Sequence, residues 1–284
     1  MLLYKHYDQQ SLDQQFNNRL HVPEFQDYFD RWELLSRQAE EQLPLIKDID
    51  YGTLPRERLD IFPSLQPGSK TLVFIHGGYW QMLDKAMFRF ISKGFHLYGI
   101  TVVLLNYPLA PQAPIETMVQ SCRNAFNWIY KNISSYNGNP NEIYVAGHSA
   151  GAHLAAMMMT TDWRSISSDL PANLLKGSCL ISGLFNLVPI HLCYLNQVLQ
   201  LNLQSVRANS PVQMQPLNRC PLLIAVGSAE TTEFNDQSIE LYAAWKEKIG
   251  EIQLEQLDQL NHYSVIETII HPNSPLHHQM RKLM

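Results

Sequence analysis

From residue 71 onward the chain alternates between short, largely apolar runs and longer stretches in which apolar residues recur every three or four positions. The short runs, 71–75, 101–105, 142–146, 178–181, 222–226 and 252–257, have the length and composition of sheet strands. The spaced stretches, 85–97, 116–131, 150–161, 233–248 and 263–270, read as helices with one apolar face. Such alternation predicts an α/β fold, a mostly parallel central sheet with helices on both faces. Upstream, 45–50 and 58–62 read as two strands joined through the turn-forming 52–55, a hairpin at the sheet edge. Residues 1–44 place Phe25, Tyr28, Phe29 and Trp32 at near-helical spacing. They predict one or two amphipathic helices that either cover the active site or, the preferred reading, pack on the sheet alone. Residues 183–215 break the rhythm and are expected to form a small cap containing a helix over 192–203. No linker divides the chain, so 1–284 is read as one domain.

Two glycine-flanked motifs stand at the ends of predicted strands. Gly147-His148-Ser149-Ala150-Gly151 follows the apolar run Ile143-Tyr144-Val145 and leads into a helix-forming stretch. G-x-S-x-G between strand and helix places the serine on a sharp turn, its hydroxyl at a helix N-terminus. Ser149 is therefore the candidate nucleophile. His76-Gly77-Gly78-Tyr79-Trp80 follows the run Val73-Phe74-Ile75. Acyl transfer needs two preorganised N–H donors for the oxyanion. Gly78, with Gly77 beside it, and Ala150 are the candidate donors; Tyr79, Trp80 and the aromatics of residues 25–32 are candidates for a substrate-facing wall.

The general base must reach Ser149 from another loop. Of the 11 histidines, His262 follows the last predicted strand across a short loop, which brings it to the C-terminal edge of the sheet. His148 and His153 flank the turn and read as packing or hydrogen-bonding residues. His191 lies in the cap. His271, His277 and His278 fall in or near a Pro-rich tail expected to face solvent. The acid should follow 222–226. Glu230, three residues past Gly227, is preferred, with Asp236 and Asp258 as competitors; Glu233 reads as a first-turn helix residue.

Composition narrows the partners. A net charge of −5 without any basic block argues against nucleic acid and anionic membranes. Four cysteines without C-x-x-C spacing suit a reducing compartment. No run of 18 charge-free apolar residues occurs, and 1–10 lacks a signal-peptide core. A soluble cytoplasmic protein is expected. No His/Asp cluster or H-E-x-x-H suggests a metal or other cofactor.

The two motifs, extended through Ala152-His153-Leu154-Ala155-Ala156, resemble the arylformamidase (kynurenine formamidase) branch of the α/β-hydrolases, related to hormone-sensitive-lipase-like esterases. Tyr51-Gly52 with Arg58-Leu59-Asp60 is similar to that family's opening strands, and Asn106-Tyr107 to its N-Y-R-L-A-P segment. Ser182-Gly183-Leu184-Phe185-Asn186-Leu187 is similar to its S-G-x-[FY]-D-L stretch. Glu230 falls where the family's acid precedes an E-F pair, here Glu233-Phe234. Pro108 and Asn186 depart from the family's Arg and Asp. The resemblance implies an α/β-hydrolase fold and hydrolysis of N-formyl-L-kynurenine to formate and kynurenine, without cofactor. The partner is then a small aromatic amide or ester, and the reading leaves room for a homodimer. A short-chain carboxylesterase and a non-catalytic ligand-binding hydrolase fold are the competing readings.

Overall fold

The computed structural model describes residues 1–284. Its strands are β1 (Ile46–Asp50), β2 (Arg58–Phe62), β3 (Ser69–Ile75), β4 (Thr101–Leu105), β5 (Gly138–His148), β6 (Leu175–Ile181), β7 (Leu222–Gly227) and β8 (Ile252–Leu257). They form one eight-stranded sheet in the order β1-β2-β4-β3-β5-β6-β7-β8. β1 and β2 are the antiparallel edge; from β4 onward all pairs are parallel. This is the expected α/β architecture, with the hairpin at the edge.

Central strands β3 to β7 are almost wholly buried because both faces are covered. The helices Ile115–Asn132, Ala150–Met159 and Thr232–Trp245 fill one face. The helices Phe25–Gln42, Ile91–Phe95 and Pro275–Leu283 fill the other. Parallel pairing sets the C-terminal ends side by side: Ile75 pairs with Gly147, and His148 with Ile181. No helix is long and apolar enough to cross a membrane.

Four segments depart from the sequence expectation. The N-terminal region forms three helices, Gln9–Gln15, Asn18–His21 and Phe25–Gln42, each of the first two capped by the preceding side chain, Asp8 or Asn17. The stretch 85–97 is split into two short 3₁₀ turns around Ile91–Phe95. Residues 183–215 hold three short helices, Val188–Leu192, Asn196–Leu199 and Leu203–Ala208, in place of one over 192–203. Asn196 stops the chain by accepting from Leu201 N–H at 2.6 Å, and Asn202 then caps the next helix through the amides of Gln204 and Ser205. The tail is a helix started by the Ser274 cap and Pro275. His277 is accordingly buried, its ring 5.3 Å from that of Phe95, and does not face solvent.

Asp60 of β2 is fully buried and takes four donors. Its Oδ1 accepts from Asp48 N–H at 2.9 Å and Lys85 Nζ at 2.8 Å; its Oδ2 accepts from Arg89 Nε at 2.8 Å and lies 2.8 Å from Nη2. Arg89 also pairs with Glu40 of the Phe25–Gln42 helix, so the cluster bolts that helix to the sheet edge. Removing the central charge leaves the buried Lys85 and the half-buried Arg89 each short of a partner. Asp60→Asn is expected to lower unfolding free energy by about 3 kcal/mol. Urea titration should show a lower midpoint at unchanged slope; an unshifted midpoint would discount the cluster as a structural bolt.

Candidate active site

Three backbones meet where Ser149 sits. A Cβ on Gly151 would lie 2.0 Å from Ile75 O, and one on Gly147 2.2 Å from Gly151 O. Both positions therefore exclude any side chain, and the chain can pass from β5 into the Ala150–Met159 helix without a connecting loop. The turn leaves Ser149 at φ 58°, ψ −123°, a strained conformation for an L-residue. Its N–H donates to Ile181 O at 2.8 Å, and its C=O accepts from the amides of Ala152 and His153. Its hydroxyl makes no hydrogen bond within the protein and faces a cavity of about 330 Å³.

The glycine loop after β3 closes the other side. A Cβ on Gly77 would come 3.0 Å from Ser149 Cβ and 2.9 Å from His148 O, so Gly77 permits the contact between the two motifs. Gly78 lines the cavity at φ +110°, and its C=O anchors the loop by accepting from Met82 N–H at 3.1 Å. The amide of Ala150 is the first of its helix, in the turn whose N–H groups lack intrahelical acceptors. The loop is braced from beneath: Tyr107 O–H donates to His76 O at 2.9 Å, and Lys85 N–H to Asn106 Oδ1 at 2.7 Å.

The loops after β7 and β8 bring His262 and Glu230 together. Gly227 lets them touch, since a Cβ there would lie 2.1 Å from Leu260 O. His262 Nδ1–H donates to Glu230 Oε2 at 2.6 Å. The other carboxylate oxygen accepts from Gly227 N–H at 2.8 Å and Ser182 Oγ–H at 2.5 Å. The Glu230 side chain is fully buried. His148 Nε2–H donates to His262 O at 2.9 Å, which ties this loop to the serine turn. The competitors lie elsewhere: Asp236 pairs with Lys5, and Asp258 accepts from Ser228. Glu233 lies in the first turn of the Thr232–Trp245 helix, as its position suggests; it is buried beside Lys5, and burial raises its pKa.

Ser149 and His262 thus line one cavity, with Gly78 and Tyr79. Trp80 does not join that wall. It is fully buried, and its Nε1–H donates to His153 Nδ1 at 3.3 Å. Phe29 and Trp32 supply aromatic surface instead, and Asn17, Asn18, Arg19, Tyr194 and Leu195 complete the sides. The N-terminal segment and 183–215 therefore both wall the site, the less favoured of the two readings open for the former. Ser182 carried no assigned role in the sequence reading; its one signal was membership of the Ser182-Gly183 stretch. His191 reaches only Leu201 O and Asn196. No group of three His, Cys, Asp or Glu side chains is arranged to hold a metal ion.

Residues 59–179 match the BD-FAE family. The kynurenine formamidase of Salmo salar is 32% identical over 84% of this chain and 81% of its own length. The isoprenylcysteine alpha-carbonyl methylesterase of Arabidopsis thaliana is 35% identical over 50% of this chain and 34% of its own. Among solved structures, a candidate thioesterase of Silicibacter sp. TM1040 superposes with a TM-score of 0.84 at 28% identity, covering 93% of this chain and 97% of that one.

Three buried imidazoles surround the site without charge. Burial lowers the pKa of His76 and of His153 from 6.5 to about 4, and burial together with the nearby His262 lowers that of His148. A base depressed in the fold is neutral there and protonates first in the unfolded chain. Its contribution is whole above about 6.5 and is lost as pH falls towards the folded value. Stability should therefore decline between pH 6.5 and 5, before most carboxylates protonate. Replacing His153 with Gln should flatten that slope by up to about 1.4 kcal/mol per pH unit. Urea melts across this window test it, and equal slopes in both proteins would count against a neutral His153.

Proposed function

This chain belongs to the kynurenine formamidase family of α/β-hydrolases, and from that premise we propose that it is a serine hydrolase cleaving a small acyl group from an aromatic amide. N-formylkynurenine, yielding kynurenine and formate, is the substrate this reading favours. The observation that carries it is the Glu230–His262 pair, 2.6 Å apart, opening on the same cavity as the Ser149 hydroxyl.

In the proposed mechanism, His262 Nε2 takes the proton from Ser149 as Oγ attacks the formyl carbon. The carbonyl oxygen becomes an oxyanion held by the amides of Gly78 and Ala150. Glu230 fixes the imidazole tautomer and stabilises the imidazolium. Collapse breaks the C–N bond, and His262 returns the proton to the departing arylamine. Water, deprotonated by the same imidazole, then cleaves the formyl ester, releasing formate and restoring Ser149. A formyl group needs almost no acyl pocket, so most of the cavity, walled by Tyr79, Phe29 and Trp32, is free for an aromatic leaving group.

A second reading, carboxylesterase, is favoured by the similarity to the Arabidopsis methylesterase and uses the same machinery. Values of kcat/KM measured side by side on N-formylkynurenine and p-nitrophenyl acetate separate the two. We expect the formamide to be the better substrate; an ester preference of several orders of magnitude would reject the formamidase.

Ser149→Ala should reduce kcat by roughly a millionfold while urea unfolding stays cooperative. A fluorophosphonate probe should label Ser149 in the parent protein and nothing in the variant. Turnover that persists in the variant would refute the nucleophile. Ser182→Ala removes a charge-assisted bond to Glu230 and should lower kcat roughly tenfold with little change in KM. Unaltered kcat would mean that Glu230 is held well enough by Gly227 and His262.

A further inference from the structure

Arg19 is the one arginine or lysine in the cavity wall, and no Asp or Glu lines that cavity. It lies in the four-residue helix Asn18–His21, held beside the site by Asn18 Nδ2–H, which donates to Tyr79 Oη at 3.1 Å. Its guanidinium is positioned without a carboxylate. Cζ lies 4.9 Å from the Phe25 ring centroid, and Nη2 lies 3.5 Å from Met82 Sδ, its only side-chain polar contact. Met82 is bonded through its amide to Gly78 O, so the cation rests on the loop that carries the proposed oxyanion donor. Its charge also reaches Tyr194 and Tyr263 in the wall, where it opposes the rise in pKa that burial causes. A planar guanidinium held over an aromatic ring, with free donors at the mouth of a cavity that holds no other Arg, Lys, Asp or Glu, is suited to bidentate capture of a carboxylate.

We propose that Arg19 binds a carboxylate carried on the leaving-group side of the substrate and so makes the cavity selective for anionic aryl amides and esters over neutral ones. This rests on the hydrolase reading above and adds to it the residue that sets specificity. With the acyl carbon at Ser149 and its oxygen at Gly78, the cavity towards Arg19 is left for the leaving group. The side chain is exposed at the mouth, so its replacement leaves the core untouched.

The test uses two formanilides with the same ortho side chain, one ending in a carboxylate and the other in a primary amide. The parent protein should favour the carboxylate by about tenfold or more in kcat/KM. Arg19→Met should lower kcat/KM for the carboxylate substrate roughly 10- to 100-fold, mainly through KM, and change the amide substrate less than about threefold. Arg19→Lys should recover part of the preference, and 0.5 M salt should shrink it in the parent. No preference in the parent, or equal losses on both substrates in Arg19→Met, overturns the proposal. If neither formanilide is cleaved, the formamidase reading fails, and the matching pair of phenyl acetates reads the same charge preference. Failure to cleave the acetates as well would overturn both.

Discussion

Everything at the site depends on one steric condition: β3, β5 and the helix after it must approach until their backbones touch. Gly151 lies against Ile75 O and Gly147 against Gly151 O, at distances no Cβ could occupy. That contact compels Ser149 into its positive φ, which alone costs of order 1–3 kcal/mol. The surroundings hold it there. The Ser149 amide is bonded to β6, its carbonyl receives two helix amides, and Gly77 presses the upstream loop against its Cβ. Relaxing the turn would break all three arrangements together. The same approach sets the Gly77-Gly78 loop against the serine turn, so the strain in the turn and the proposed oxyanion site have a single cause.

The acid side of the site solves a different problem, the burial of a carboxylate. Glu230 is longer than the aspartate more usual in the role proposed for it, and the structure accommodates the added methylene by folding the side chain back over its own strand end. Gly227 N–H and Ser182 Oγ–H both donate to Oε1, leaving Oε2 for His262. A charge removed from water is tolerable only when its lone pairs are occupied, and here both oxygens are. Gly227 has two functions, donating its amide and leaving room for Leu260 O. Three strand ends, those of β6, β7 and β8, consequently supply one hydrogen-bonded unit.

The sheet was legible because a buried parallel strand must be apolar along its length, and the intervening helices must show one apolar face. The serine turn was legible because its glycines are required by backbone contact, which leaves a pattern only five residues long. What escaped depends on particular side-chain partners, several of them distant in sequence. Trp80 reads as a free aromatic beside a loop, yet its indole N–H finds His153 in the core. His277 stands in a segment whose prolines suggest an open tail, but Pro275 opens a helix that buries it under Phe95. Side-chain bonds from Asn196 and Asn202 break the helix expected over 192–203, and hydrophobic spacing cannot register them. Ser182 has no signal beyond its place in the 182–187 stretch; its bond exists only because Glu230 comes to meet it.

The identity of the proposed base can be argued further, since His148 also lines the cavity and sits next to Ser149 in sequence. Proximity favours it, but basicity does not. His148 is stripped of water and lies against another imidazole, ring centroids 4.7 Å apart, and both conditions disfavour its protonated form. Its Nε2–H is committed to His262 O. His262 is also nearly buried, yet a carboxylate stands 2.6 Å behind its Nδ1. A general base must become a cation in the transition state, so the counter-charge decides between two rings that share one wall. On this view His148 acts through its bond to the 262 loop, holding the other ring against the cavity while remaining neutral itself.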